Sequence, residues 1–306
     1  MSAKAATASA PGAGAPPSGV GYGEIFDRGY QHYRGPRLGR RQAFRSLVGY
    51  SIKRAMGIRK SWTAKILPIL LYTAAIIPLI VMIGISAVAP QVEFASYSAY
   101  FAAIFTIEGI FVATIAPEMV CPDRRERTLP LYFARAITRS DYVVAKLLAT
   151  IVLTMTMSLL PAVILWFGRQ LIADSPWRAM QDHVGDLGRV ILLGILIAVF
   201  LGTTGLMISS LTDRKGVAVT VIIIGFLLLT VAAQSGFQVV DSEWRRYFIF
   251  LSISDVFAAI ADHLFGNVDS DLVDVAHFPL WAYLVYIAVV VVVCILIIRW
   301  RYRPQD

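Results

Sequence analysis

Six long apolar runs divide the chain, at roughly 66–89, 97–119, 143–168, 189–211, 217–236 and 278–298. Each approaches or exceeds the about 20 helical residues needed to cross a hydrocarbon layer about 30 Å thick. The apolar positions are continuous rather than alternating, so the runs predict transmembrane helices and not the strands of a barrel. Pro68, Pro78 and Pro161 fall where a helix starts or kinks, at places neighbouring spans can compensate. A different pattern holds over 44–56, where Phe44, Leu47, Val48, Ile52, Ala55 and Met56 share one helical face among cations. It predicts either an amphipathic helix lying in a membrane interface, with Trp62 at headgroup depth, or a solvated basic arm that anchors topology. After the fifth run, residues 247–253 and 256–265 are apolar but too short to span, and Asp255 and Asp262 prevent their merging. They read as short helices on the outer mouth, partly re-entrant, or as an ordinary structured loop. The fold class that follows is an all-α polytopic membrane protein: six transmembrane helices, an N-terminal interfacial amphipathic helix, and short external helices between spans five and six.

Composition agrees with the pattern. Apolar residues make up 57% of the chain and charged residues 16%, with a mean hydropathy of +0.67, far from a soluble domain. Four stretches are expected: a disordered cytoplasmic tail at 1–23, rich in Ala, Pro, Gly and Ser; a cytoplasmic basic segment with the interfacial helix at 24–65; a six-span domain at 66–300; and a short cytoplasmic tail at 301–306. The tyrosine- and arginine-rich residues 22–41 match no pattern with an assignable role. Charge then changes the picture, because a formal +8 could mean a nucleic-acid partner. Of the 28 lysines and arginines, 23 fall on one set of alternating loops, and only Arg169, Arg178, Arg189, Arg245 and Arg246 fall on the other. Such a bias places both termini in the cytoplasm of a multi-pass protein of the cell membrane, and makes the excess charge topological, with no nucleic acid implied. Cys121 and Cys294 are too few for a disulfide framework.

Motifs for catalysis do not occur in the sequence. It contains no GxxxxGK[ST], HExxH or GxSxG run and no Cys/His cluster at metal spacing, and its four histidines are scattered. The chain reads as no enzyme, binding no metal or cofactor of its own. Glu108, near the middle of span two, is the one intramembrane acid singled out; such a group is disfavoured by about 2.5–3.5 kcal/mol unless protonated or paired. It is either functional or hydrogen-bonded between helices, with Thr150, Thr154 and Ser158 of span three as partners. A single buried acid gives a proton or ion relay little to run on, which argues against a secondary transporter. Gly194, Gly202, Thr203, Thr204, Gly205, Ser209 and Ser210 give span four a small-residue face, for internal packing or for a dimer.

The richest segment is 117–146. Pro117 and Glu118 are expected to close span two, with Pro122 discouraging its continuation. Asp123, Arg124, Arg125, Glu126 and Arg127 then form a charged run at the surface. Leu129, Leu131, Tyr132 and Phe133 follow, with Arg135 and Arg139 beyond them. Ser140 is a suitable cap for the next helix, with Asp141 in its first turn. Apolar and aromatic residues presented on a charged surface suit a docking element better than a plain connection, the alternative being a helix lying flat on lipid.

These residues resemble a known family. A buried acid in span two (Glu108), then Glu118, Asp123, Arg124 and Arg125, a Thr-Leu-x-Leu-Tyr run (Thr128, Leu129, Leu131, Tyr132), and Arg139, Asp141, Tyr142 and Lys146 opening span three look like the membrane subunits of type-2 ATP-binding-cassette exporters. The resemblance extends over about residues 40–300 but its specific part is the loop. It implies a permease that exports a substrate, a coupling helix within 124–139 docked on a separate nucleotide-binding ATPase subunit that binds the ATP, support from the helix at 44–56, and pairing of two permease subunits. The competing function is a membrane anchor or assembly factor that recruits a cytoplasmic partner through the same loop and transports nothing.

Overall fold

The computed structural model describes residue 35 and residues 39–58, 62–88, 96–134, 137–173, 175–240, 243–266 and 271–303. Expectations for the 1–23 tail, for most of 22–41 and for Arg135 lie outside the described residues. The described chain is helical: α1 Arg40–Ala55, α2 Thr63–Val88, α3 Tyr97–Arg125, α4 Leu129–Phe133, α5 Arg139–Ile172, α6 Pro176–Asp182, α7 Val184–Leu211, α8 Lys215–Val239, a 3₁₀ helix at Glu243–Phe250, α9 Ile253–Phe265, α10 Asp271–Ala276 and α11 Leu280–Arg301. Six of these, α2, α3, α5, α7, α8 and α11, are long and apolar enough to cross a membrane.

Burial ranks the spans. More than half of the apolar window is buried in α3 and α7, against 17% in α8 and 22% in α11, so α3, α5 and α7 form the centre and the rest face outward. Small residues on α7 permit that centre. A Cβ on Gly202 would stand 3.3 Å from the Ile151 Cα of α5, and Gly205 faces Val112 of α3. The small-residue face therefore serves packing within the bundle.

Two boundaries differ from expectation at the end of the bundle that holds α1 and α4, here called the basic end. α3 does not stop at Pro117 or Pro122 but runs to Arg125. A proline removes one backbone hydrogen bond, and side chains around it hold the extra turns in place: Cys121 Sγ reaches the Ser209 and Thr212 carbonyls at 3.5 Å, and Lys215 Nζ donates to Glu118 Oε1 at 2.6 Å. α5 begins earlier than its apolar run because the cap is Thr138, not Ser140. The Thr138 hydroxyl accepts from the Asp141 amide at 3.2 Å, and the Asp141 carboxylate accepts from the Thr138 amide at 3.0 Å, a reciprocal capping box.

α1 confirms the amphipathic pattern over 44–56 as a helix, with Leu47, Ser51 and Ala55 buried on one face and packed on α5 and α3. At the opposite, acidic end, the 3₁₀ helix and α9 meet at a 97° bend. α9 does more than cover the mouth. Phe257 lies 5.7 Å from Phe105 of α3 and 5.5 Å from Phe200 of α7, so the helix inserts its apolar face among the central spans.

Candidate functional site

The loop after span two is built on one carboxylate. Asp123, in the last turn of α3, is fully buried and accepts from Arg54 Nη1 of α1 at 2.7 Å and from the Tyr142 hydroxyl of α5 at 2.9 Å. Lys146 Nζ, also of α5 and buried, stands 2.7 Å from the same carboxylate as an ion pair rather than a well-directed hydrogen bond. Glu126 adds a longer contact to Arg54, 3.7 Å. A cation inside an apolar run needs a counter-charge, and the extra turns of α3 carry Asp123 to it.

α4 rests on this group. The Tyr142 ring lies 5.7 Å from Tyr132, 6.1 Å from Phe133 and 5.6 Å from Tyr302 beyond α11. Burial first, and then the Asp123 charge, push the Tyr132 phenol up to about 12. The turn joining α3 to α4 is closed tightly. The Thr128 amide donates to the Asp123 carbonyl at 3.0 Å and the Arg127 amide to the Arg124 carbonyl at 3.2 Å, with Arg127 at φ 52°, the left-handed position of a Schellman ending. Nearby, Arg40 of α1 grips Asp141 with two bonds of 2.8 and 2.7 Å.

The predicted docking residues thus divide. Asp123 and Arg124, expected at the surface, turn inward: Asp123 is enclosed as above, and Arg124 donates to the Ser210 carbonyl at the end of α7 and lies 3.7 Å from Asp213. Tyr132, Phe133 and Leu129 are half-buried, with their inner sides against the bundle. Arg125, Glu126, Arg127, Leu131 and Arg139 are exposed, Leu131 by 69%. Tyr142 and Lys146, part of the family pattern but not among the expected docking residues, join the site together with Arg54 and Tyr302; the signal for Lys146 was a lysine four residues into an apolar run.

Glu108 is fully buried, and neither of its carboxylate oxygens has a hydrogen-bond partner among the described residues. Two of its expected partners are engaged on their own helix: Thr150 donates to the Lys146 carbonyl and Thr154 to the Thr150 carbonyl, both at 2.9 Å. The third, the Ser158 hydroxyl of α5, is buried and stands close to the Glu108 carboxylate without a well-directed bond.

The site is therefore a short, half-exposed helix seated on an ionic and aromatic junction of α1, α3, α5 and the end of α11. No curated protein matches the chain. Residues 75–300 match the family model described as ABC-2 family transporter protein, and the chain belongs to that family as the membrane permease subunit of an ATP-binding-cassette transporter.

Proposed function

We propose that this permease exports its substrate, that its basic end faces the cytoplasm, and that a separate ATPase subunit docks there on α4. The observation that carries the reading is the two-sidedness of α4. Its outer side offers the exposed Leu131, with the exposed charges of Arg125, Glu126 and Arg127 in the turn just before the helix, and its inner side is tied through Tyr132 and Phe133 to Tyr142. An apolar anchor with a charged rim suits a protein partner. ATP binding and hydrolysis belong to that partner. Pairing of two permease chains encloses the path, as the family relationship supports. The bias of lysine and arginine toward the basic end supports the orientation.

The test is co-purification of the permease with its ATPase from membranes, followed by reconstitution of the complex in vesicles. Leu131→Asp should lower retention of the ATPase at least about tenfold, a moderate effect for a buried interface anchor, without altering thermal unfolding of the permease. ATPase activity should rise with transported substrate. A partner that binds through α4 with no such stimulation would identify an anchor instead, and transport without any ATPase would overturn the docking role.

A further inference from the structure

Beside α4 lies a feature that the docking reading does not use. A groove of about 560 Å³ runs between the start of α5 and the end of α11, and three arginines, Arg139, Arg299 and Arg303, line it. Arg139 and Arg303, with Tyr302, also line a second hollow of about 660 Å³ under α4, where Arg124 and Arg301 join them. Four of these cations, Arg139, Arg299, Arg301 and Arg303, have no acidic side chain within 4.0 Å among the described residues; Arg139 contacts only the Phe133 ring, at 5.5 Å. Nearby acids are already engaged. Asp141 is held by Arg40, and Asp123 by Arg54 and Lys146.

The groove changes character along its depth. On α5, Arg139 and Ser140 give way over about one to two turns to Val143, Val144 and Leu147; across the groove, Arg299 of α11 stands about one turn beyond Ile295 and Leu296, and Arg303 lies just past the end of that helix. Val144 is 52% exposed and Leu296 58% exposed, so the apolar wall opens sideways onto the outer surface of the bundle. A soluble phosphate would need the arginines but not the wall. A phospholipid needs both, since its phosphate sits at the level where the hydrocarbon begins.

We infer that the α5–α11 groove binds one anionic phospholipid, with Arg139, Arg299 and Arg303 on the headgroup phosphate and Val144, Leu147, Ile295 and Leu296 against the upper part of an acyl chain. Basic pockets between helix ends at a membrane surface suit such headgroups. Neither docking of an ATPase nor the direction of transport enters this inference.

The experiment is native mass spectrometry of the full chain from mixed micelles holding equal phosphatidylglycerol and phosphatidylcholine. The wild type should retain one phosphatidylglycerol in preference to phosphatidylcholine. The combined variant R139Q/R299Q/R303Q should lose that retention by tenfold or more, at several-fold per arginine near an anionic surface, and R303Q alone, beyond the end of α11, should lose several-fold. The variant R41Q/R45Q/K53Q removes three exposed cations from the same end, outside the groove, and should retain the lipid. Equal loss in both combined variants would reduce the effect to general surface charge. Displacement of the lipid by millimolar inorganic phosphate would assign the arginines to a soluble anion, and absence of any phosphatidylglycerol preference would remove the site. Any of these three outcomes overturns the proposal.

Discussion

A buried carboxylate between an arginine and a lysine cannot lose its charge without leaving both cations enclosed. The attraction within such a group only offsets the cost of taking it out of water, so the net stabilisation is small, but removal of one member typically costs about 3–5 kcal/mol. Asp123→Asn keeps the shape of the side chain and deletes the charge facing Arg54 and Lys146. It should destabilise the permease by about 3 kcal/mol or more in denaturant unfolding in micelles. Lys146→Met in the same background should recover much of the loss, because the fully buried cation is then gone. A wild-type midpoint for Asp123→Asn would deny the junction its structural role. Glu108 is the contrasting residue. Its isolation in a span was visible in the sequence, but its surroundings were not, since Thr150 and Thr154 can satisfy themselves on the carbonyl one turn back and need no partner across the helix interface.

Among elements, close approach of α7 to α5 gives the sharpest expectation. Gly202→Ala would place a methyl group against Ile151 backbone atoms at 3.3 and 3.5 Å, which cannot rotate away. Gly225→Ala on α8 meets nothing within 4 Å. Gly202→Ala should lower stability by about 1–3 kcal/mol, as overpacking does, and Gly225→Ala should stay within about 0.5 kcal/mol of wild type; thermal unfolding of the two purified variants compares them directly. The same elements show what a sequence can carry. Number and type of spans were legible because each apolar run is long and continuous, and the cap region of α5 was legible to within two residues. The ends of α3 and α5 were not, because polarity there does not mean water. Asp123 lies beyond the apolar run of span two and Lys146 just inside that of span three, yet they face each other inside the protein, and a one-dimensional pattern cannot distinguish a paired charge from a solvated one. For the same reason the mixture of charged, apolar and aromatic residues in the loop was legible, while the inward turn of Asp123 and Arg124 was not. α9 was legible as a short, partly re-entrant helix at the mouth, while the contacts of its apolar face, with Phe257 on α3 and α7, were not.

At the scale of the molecule, α4 is connected to the spans by contacts of two kinds with different consequences. The ionic contacts through Asp123 join α1, α3 and α5 to one another, whereas α4 itself reaches them through rings, Tyr132 and Phe133 on Tyr142. Under the docking proposed above, a force on the outer side of α4 would reach the bundle through that aromatic contact as well as through the α3–α4 turn, and from Tyr142 it would be shared with α3 through Asp123 and with the end of α11 through Tyr302. Binding and coupling are then separable. Replacing Tyr132 and Phe133 together by leucine keeps α4 apolar on its inner side and leaves Leu131 and the charged rim in place, so the ATPase should still co-purify. What should fall is the response: coupling energies between sites of 1–3 kcal/mol correspond to about 5–150-fold, and loss of the ring contacts should reduce substrate-stimulated ATPase activity in vesicles by at least about fivefold, with basal activity of the bound ATPase retained. Undiminished stimulation in that variant would mean that the push bypasses Tyr142, leaving α1, packed on α5 and α3 and joined to Asp141 through Arg40, as the remaining route from this end into the spans.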